Sequence, residues 1–184
     1  MKKILAILAL VTVSSTFAQQ VTVDYQKSNP DAPGPDSQQV TLNVKAPINK
    51  MFAIDGLVQT QSAEQTFKET SRYEAGLTAQ HNVFGPVDGY ARVGMGEKVI
   101  QATEPFTYHS EEIGTIIHAP FGIDAKLGWR FRSALESGMG DTTHTLRGAL
   151  SYKVTAKDAI GVRYDAVHGD GAAKNTAVFY SRSF

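Results

Sequence analysis

The clearest pattern in the chain is a strict alternation of apolar and polar positions between residues 123 and 135. One set of alternating positions is apolar with a single exception and comprises Ile123, Ala125, Leu127, Trp129, Phe131, Ser133 and Leu135. The other set has four charges and no large apolar side chain, and comprises Asp124, Lys126, Gly128, Arg130, Arg132 and Ala134. Successive side chains alternate between the faces of a strand but turn by about 100° in a helix. The pattern therefore predicts a strand with one apolar and one polar face.

The same period of two recurs along the chain and predicts ten strands in all. The other apolar faces are Val21, Val23 and Tyr25; Val40, Leu42 and Val44; Phe52, Ile54, Gly56 and Val58; Tyr73, Ala75, Leu77 and Ala79; Ala91, Val93 and Met95; Leu146, Gly148, Leu150, Tyr152 and Val154; Ile160, Val162, Tyr164 and Ala166; and Val178, Tyr180 and Phe184. Residues 109–118 are the least regular, because Ile113, Ile116 and Ile117 do not share one phase. Their place between two loops nevertheless predicts a strand. Eight strands are the alternative if residues 21–44 pair poorly or neighbouring strands merge.

The predicted connections alternate between short and long along the chain. Short turns are predicted at 46–50, 82–88, 119–122 and 155–158, and longer polar loops at 28–37, 62–69, 98–108, 136–142 and 168–174. Short turns at one rim and longer loops at the other are typical of outer-membrane barrels. An even number of strands places both chain ends at the turn side.

The first residues have the pattern of an export signal. Lys2 and Lys3 precede an apolar run over residues 4–13, and Thr16 and Ala18 supply the small side chains of a cleavage site. The run is too short to span a bilayer, although a retained anchor is the alternative. Residues 1–18 are therefore predicted to be a signal peptide cleaved after Ala18, and residues 19–184 a single domain.

Composition narrows the function classes for this domain. The chain has no cysteine, so neither a disulfide nor a lipid-modified amino-terminal cysteine can stabilise or anchor it. Without Lys2 and Lys3 it carries 16 basic and 18 acidic residues, and this near balance gives no reason to expect nucleic acid as a partner.

Three features favour a membrane barrel over a soluble β-sandwich, which would also show two unlike faces. Several predicted strands run to about ten residues, as a tilted membrane strand requires, whereas ordinary strands hold about five or six. The chain end at Phe184 is a second such feature. Aromatic residues on the apolar faces are suited to the membrane interface: Tyr25, Phe52, Tyr73, Trp129, Tyr152 and Phe184.

The chain ends on Phe184, and Tyr180 and Val178 precede it on the same face. This ending resembles the carboxyl-terminal signature of bacterial outer-membrane proteins, from which Arg182 departs. The mature chain as a whole resembles the small outer-membrane β-barrels, porin-like or OmpA-type. The resemblance implies a closed up-and-down antiparallel transmembrane barrel in the outer membrane of a Gram-negative bacterium. It also implies contact with outer-membrane lipids, passage with periplasmic chaperones, and a barrel-assembly machinery that reads Val178, Tyr180 and Phe184. A monomer is expected.

Sequence motifs give no support for catalysis or for a cofactor. The best catalytic candidate is the run His109-Ser110-Glu111-Glu112, but neighbouring strand residues point to opposite faces, which separates His109 from Ser110. The remaining histidines show no metal-ligand spacing, and the glycine pairs 94/96 and 138/140 lack the helix that a phosphate loop requires. We therefore expect no enzyme, no metal and no cofactor.

The polar faces carry the one set of residues with functional promise. Their charged members are Asp55, Arg72, Glu74, Arg92, Asp124, Lys126, Arg130, Arg132, Arg147, Lys153, Arg163 and Asp165. Inside a narrow barrel these side chains form either an ion-pair network that fills the lumen or the wall of an anion-preferring pore. The leading prediction is a largely filled lumen and a non-enzymatic role in the envelope or in surface interactions through the loops. The alternatives are a narrow anion-preferring small-solute channel and a secreted soluble β-sandwich that binds a ligand.

Overall fold

The computed structural model describes residues 20–31, 35–63 and 69–184. The predicted signal peptide and parts of the predicted loops 28–37 and 62–69 lie outside the described residues. The described chain forms ten strands, which are β1 (Gln20–Pro30), β2 (Ser37–Pro47), β3 (Phe52–Ala63), β4 (Glu69–Phe84), β5 (Val87–Ile100), β6 (Phe106–Ala119), β7 (Ile123–Ala134), β8 (Thr143–Lys153), β9 (Asp158–Gly169) and β10 (Ala173–Ser183).

The ten strands form a closed antiparallel barrel in which each strand pairs with its neighbours in sequence. β1 and β10 close it through an unbroken register from Gln20 opposite Ser183 to Pro30 opposite Ala173. Closure leaves no unpaired strand edge, which is the requirement for a sheet in a bilayer. The predicted ten-stranded up-and-down barrel is confirmed, and the eight-stranded alternative is wrong.

The irregular segment 109–118 is part of strand β6, as predicted. Ile113 and Ile117 point outward and are 61% and 45% exposed, whereas Ile116 points into the lumen. The mixed phase of the isoleucines therefore reflects one apolar side chain on the inner face.

The connections at the two rims of the barrel differ less in length than the sequence predicts. One rim, here the turn rim, carries connections of two to four residues: 48–51, 85–86, 120–122 and 154–157. The other, the loop rim, carries 101–105, 135–142 and 170–172 among the connections that lie wholly within the described residues. The predicted loops 98–108 and 168–174 are too long, because β5, β6, β9 and β10 extend into them. The predicted turn 82–88 shrinks to Gly85 and Pro86, where Gly85 takes the positive φ of 47° that a tight turn needs.

Apolar side chains cover the outside of the barrel. Leu127 and Trp129 are 58% and 42% exposed, and no second layer of described residues packs on them. This arrangement excludes the soluble β-sandwich, whose apolar faces would be buried against each other. The most buried side chains, Tyr108 and Ser110, lie in the lumen. No helix in the described part of the chain is long and apolar enough to cross a membrane.

Candidate functional site

The lumen gathers charges from most strands of the barrel. All twelve charged residues singled out from the sequence point into it, because each lies in phase with the inner face of its strand. Among the described residues, Lys45 and Lys98 join the basic side chains of the inner wall, Asp24, Asp88, Glu112 and Asp141 join the acidic ones, and Lys157, Asp158 and Asp170 line the cavity at the rims. The predicted excess of basic over acidic residues is thus smaller in the structure.

Some of the additional residues carried a signal in the sequence and some did not. Asp24 and Lys45 lie in phase with the inner faces of β1 and β2, so alternation alone could have found them. Glu112 lies on the irregular strand β6. Asp141 lies in a loop, and no periodicity shows whether a loop residue enters the lumen.

Glu74 stands at the centre of one charge cluster. Its carboxylate is fully buried and pairs with Arg92, while Arg130 Nη2 lies 2.7 Å from Glu74 Oε2. The Ser110 hydroxyl donates a hydrogen bond of 2.9 Å to Glu74 Oε1, and Arg92 Nε donates one of 2.8 Å to Asp55 Oδ1. Two carboxylates and two guanidinium groups from β3, β4, β5 and β7 therefore bridge the lumen.

A second cluster links β6, β8, β9 and β1 through two arginines. Arg147 reaches Glu112 Oε2 at 3.2 Å and Asp165 Oδ1 at 2.9 Å. Arg163 pairs with the same Asp165 at 3.1 Å and with Asp24 at 2.9 Å. Bidentate guanidinium groups suit such shared pairing, because their donors are fixed in a planar fork.

At the loop rim, Asp141 turns from its loop into the lumen. Lys98 Nζ lies 2.5 Å from Asp141 Oδ1, and Arg132 Nη2 donates a hydrogen bond of 3.1 Å to the same oxygen. Burial raises the pKa of the Asp141 carboxyl, but Arg132 and Lys98 outweigh burial and hold this pKa below its ordinary value. Asp141 therefore stays ionised and keeps the loop attached to the inner wall.

A third group of charges lies at the turn rim. His118 Nδ1 lies 2.7 Å from Asp124 and His118 Nε2 lies 3.2 Å from Asp88. Lys153 also approaches Asp124, at 3.4 Å. These groups are more exposed than the two inner clusters, so solvent screens them more strongly.

Two basic side chains of the lumen have no carboxylate of their own. Among the described residues, no carboxylate oxygen lies within ion-pair distance of Lys45 or Arg72. Arg72 Nε is shielded from solvent and lacks a hydrogen-bond partner. Within the described part of the lumen, these two positive charges are therefore not neutralised by an ion pair.

Beside the ion pairs runs a cavity of about 810 Å³. It is bounded at the loop rim by Gly140 and Gly171 and at the turn rim by Ala156 and Lys157. Its wall on β1, β2 and β3 consists mainly of uncharged amides and hydroxyls, which are Gln20, Thr22, Gln26, Ser28, Gln39, Thr41, Asn43, Gln59 and Gln61. The opposite wall carries most of the charges. One side of the lumen is thus filled by ion pairs, and the other is an open polar space.

The run His109-Ser110-Glu111-Glu112 divides between the two faces of β6. Ser110 and Glu112 are buried in the lumen, whereas Glu111 is exposed on the outside. The His109 ring packs outside against Phe131, with ring centroids 5.7 Å apart. The residues of this candidate set are therefore not brought together. The described residues contain no group of three ligands that could hold a metal ion.

The six aromatic residues predicted for the membrane interface all point outward, with exposed fractions between 39% for Phe52 and 51% for Tyr73 and Tyr152. Val178, Tyr180 and Phe184 also share the outer face of the last strand. Arg182 lies between them, 3.4 Å from Asp158 and with its guanidinium 5.8 Å from the centre of the Phe184 ring. Its charge is thus paired at the turn rim.

Comparison with known proteins gives structural matches only. No protein-family model and no curated protein matches the chain. Among solved structures, an outer-membrane channel from Pseudomonas putida F1 superposes with a TM-score of 0.58 at 8% identity, over 91% of this chain and 96% of that one. The β domain of the Bordetella autotransporter Brka superposes with a TM-score of 0.56 at 7% identity, over 91% of this chain and 99% of that one. The NanC porin superposes with a TM-score of 0.52 at 10% identity, over 90% of this chain and 99% of that one.

This chain shares the outer-membrane β-barrel fold. At these identities the likeness extends to the fold alone, which is porin-like and closed. The predicted recognition of a small outer-membrane β-barrel is confirmed.

Proposed function

We propose that this protein is a narrow channel for small polar solutes in the outer membrane, with a preference for anions. The observation that carries the proposal is the cavity of about 810 Å³ in the lumen, whose lining includes described residues of both rims. Hydrated polar passages of this kind are how barrels conduct solutes across a membrane. The ion pairs leave this cavity open beside them, which favours a channel over a filled lumen.

The size of the cavity restricts the class of solute. Its volume of about 810 Å³ is spread along the lumen from one rim to the other, so the open space is narrow. That width suits water, inorganic ions and small organic acids. Unpartnered polar atoms on the wall, such as Gln59 Nε2 and Asn175 Oδ1, favour a hydrated passage over a dry one.

The lumen charge favours anions. Among the described residues of the lumen, Lys45 and Arg72 have no carboxylate within ion-pair distance. An ion in the passage meets these two positive charges without a neutralising partner, which lowers the barrier for an anion and raises it for a cation.

Planar-bilayer recording tests conduction directly. The purified barrel is expected to give stable unitary current steps in potassium chloride, because the cavity is lined from rim to rim. A folded barrel that inserts but passes no current would contradict the channel and would leave the envelope role.

Lys45 is suited to a test of ion selectivity, because its removal leaves no carboxylate without an ion-pair partner. Lys45→Gln is expected to shift the reversal potential in a potassium chloride gradient toward the equilibrium potential of potassium, because the channel then prefers anions less. Lys174→Gln is the matched control, because Lys174 is exposed on the outer face of β10. Equal reversal potentials in the two variants would contradict a role of Lys45 in selectivity.

The proposal includes the placement of the barrel. The apolar outer face would contact outer-membrane lipids, the loop rim would face the exterior, and the face formed by Val178, Tyr180 and Phe184 would be read during assembly. Closure leaves no strand edge for a second copy, which supports a monomer. Recovery in the outer-membrane fraction, with slower migration of the boiled than of the unboiled protein on a gel, would support this placement.

A further inference from the structure

Two cations pair with one carboxylate at the loop rim, and a third interacts with it electrostatically without pairing. We name Arg72, Lys98 and Arg132 the mouth cluster. Asp141 pairs with Lys98 and Arg132, and Arg72 interacts electrostatically with all three of these groups. One negative charge thus serves three positive ones, although a cluster of this kind is stable in a protein only when its charges are compensated.

Asp141 fits the mouth cluster imperfectly. Arg132 Nε lies 2.8 Å from Asp141 Oδ2, but the two atoms do not form an aligned hydrogen bond. Arg72 Nε, which is also shielded from solvent, has no hydrogen-bond partner at all. The cluster therefore has donors that the single carboxylate of Asp141 does not satisfy.

The loop that carries Asp141 is fixed at two points. Near its start, Glu136 accepts hydrogen bonds from the backbone and the hydroxyl of Thr107, which lower the pKa of Glu136 from its ordinary value. At its end, Thr142 N donates to Asp170 Oδ2 at 2.9 Å, and Asp170 N donates to the carbonyl of Thr142 at 2.8 Å.

Between these two points the loop contains Gly138 and Gly140. Gly138 has a φ of 88°, a conformation that favours glycine, and no other atom lies within 4 Å of the position of its missing Cβ. This segment can change its backbone angles at low cost without disturbing the two fixed points.

We propose that the mouth cluster is a binding site for a small oxyanion, a carboxylate or a phosphate, and that Asp141 occupies it as a tethered substitute. A free oxyanion with several acceptor atoms can satisfy Arg72 as well as Lys98 and Arg132. The tether keeps the Asp141 carboxylate at an effective concentration in the mM range, against which a soluble anion competes. The proposal deepens the channel proposal by naming a site at its entrance, but the binding step does not depend on conduction.

Titration calorimetry on the full-length barrel in neutral detergent tests binding. Sodium phosphate and sodium acetate are the probes, each against sodium chloride of equal ionic strength. Asp141→Ser is expected to bind phosphate, acetate or both about tenfold more tightly than the unchanged protein, because charge-assisted hydrogen bonds to the oxyanion then meet no competitor.

Asp36→Ser is the matched control. It removes the same charge from another loop of the same rim, where Asp36 pairs with Lys27 at 3.1 Å away from the mouth cluster. Asp36→Ser is expected to bind the probes as the unchanged protein does. An Asp141→Ser protein that binds neither probe more tightly than Asp36→Ser would overturn the proposal.

Arg72→Ser, combined with Asp141→Ser, locates the site. The gain in affinity is expected to disappear in this double variant, and a gain that persists would overturn the proposal. If the migration of unboiled Asp141→Ser on a gel shows that it does not fold, Asp170→Ala is used instead. It keeps Asp141 and releases the end of its loop, so a smaller gain in the same direction is expected, and an unchanged affinity would overturn the proposal.

Current recording adds a readout that does rest on the proposed function. Phosphate added at the loop rim is expected to block chloride current through the Asp141→Ser channel more strongly than through Asp36→Ser. If the protein conducts nothing, the calorimetry still decides the site. If it conducts and Asp141→Ser binds neither phosphate nor acetate more tightly than Asp36→Ser does, the channel proposal survives and the site proposal does not.

Discussion

Glu74 shows how one side chain of the lumen supports several others. Its buried carboxylate is the ion-pair partner of Arg130, and it shares Arg92 with Asp55. Breaking a buried pair by removing one member is costly, because the remaining charge is left uncompensated in a region of low dielectric constant.

Glu74→Gln is therefore expected to lower the free energy of unfolding by about 3–5 kcal/mol, the range for removing one partner of a buried ion pair. The measurement is denaturant unfolding from lipid vesicles. Asp36→Asn is the control, because its pair with Lys27 is exposed and such pairs contribute roughly 0–1 kcal/mol. Equal stability of the two variants would mean that water in the cavity solvates Arg130 as well as Glu74 does.

At the scale of the strands, glycines on the inner faces make room for large lumen side chains. Gly114 on β6 lies directly opposite Gly128 on β7, and the Tyr90 hydroxyl fills the space beside both. That hydroxyl donates a hydrogen bond of 2.7 Å to Glu112, and Lys126 Nζ lies 4.2 Å from the centre of the Tyr90 ring. The glycine pair is thus part of the packing of the second charge cluster.

Gly128→Ala is expected to destabilise the barrel by about 1–3 kcal/mol, as overpacking does. A Cβ at this position would lie 2.2 Å from the Tyr90 hydroxyl oxygen, so the ring has to move away from Glu112. Gly148→Ala on β8 is the matched control, since nothing lies within 4 Å of its added methyl group. The same vesicle unfolding measures both, and equal stabilities would contradict the packing role.

At the scale of the whole molecule, the barrel is inverted relative to a soluble protein. Its apolar side chains are exposed on the outside and its charges lie within. In the proposed membrane placement, the hydrophobic effect stabilises the fold through transfer of the outer face into lipid, and the lumen depends on paired charges.

Leu127→Arg tests this inversion. Leu127 lies mid-strand on the outer face of β7 and is 58% exposed, so a charge there enters hydrocarbon and is expected to cost about 2–4 kcal/mol of stability in vesicles. Ile48→Arg is the control, because Ile48 is 59% exposed but lies in a turn at the rim. Equal stabilities would place Leu127 in water and contradict the membrane barrel.

The sequence predicts the structure well wherever each face of a strand meets one kind of environment along its whole length. Alternation identified ten strands and the inner-face positions of twelve charged residues, because lipid on one side and polar lumen on the other impose a period of two. The sequence was less informative at the rims, where the predicted loops 98–108 and 168–174 were too long. Strand pairing can continue past the membrane, and polar composition does not mark its end.

The sequence by itself determined which face of each strand meets lipid, since this depends only on neighbouring residues. Tertiary structure alone decided which charges meet and how much of the lumen they fill. Arg163 and Asp24, for example, are 139 residues apart in the chain and meet only when β1 closes on β10. The position of Asp141 was likewise decided by the folded loop. Alternation shows on which face of a strand a side chain lies. It does not show how far that side chain is from those of distant strands across the barrel, and these contacts depend on that distance.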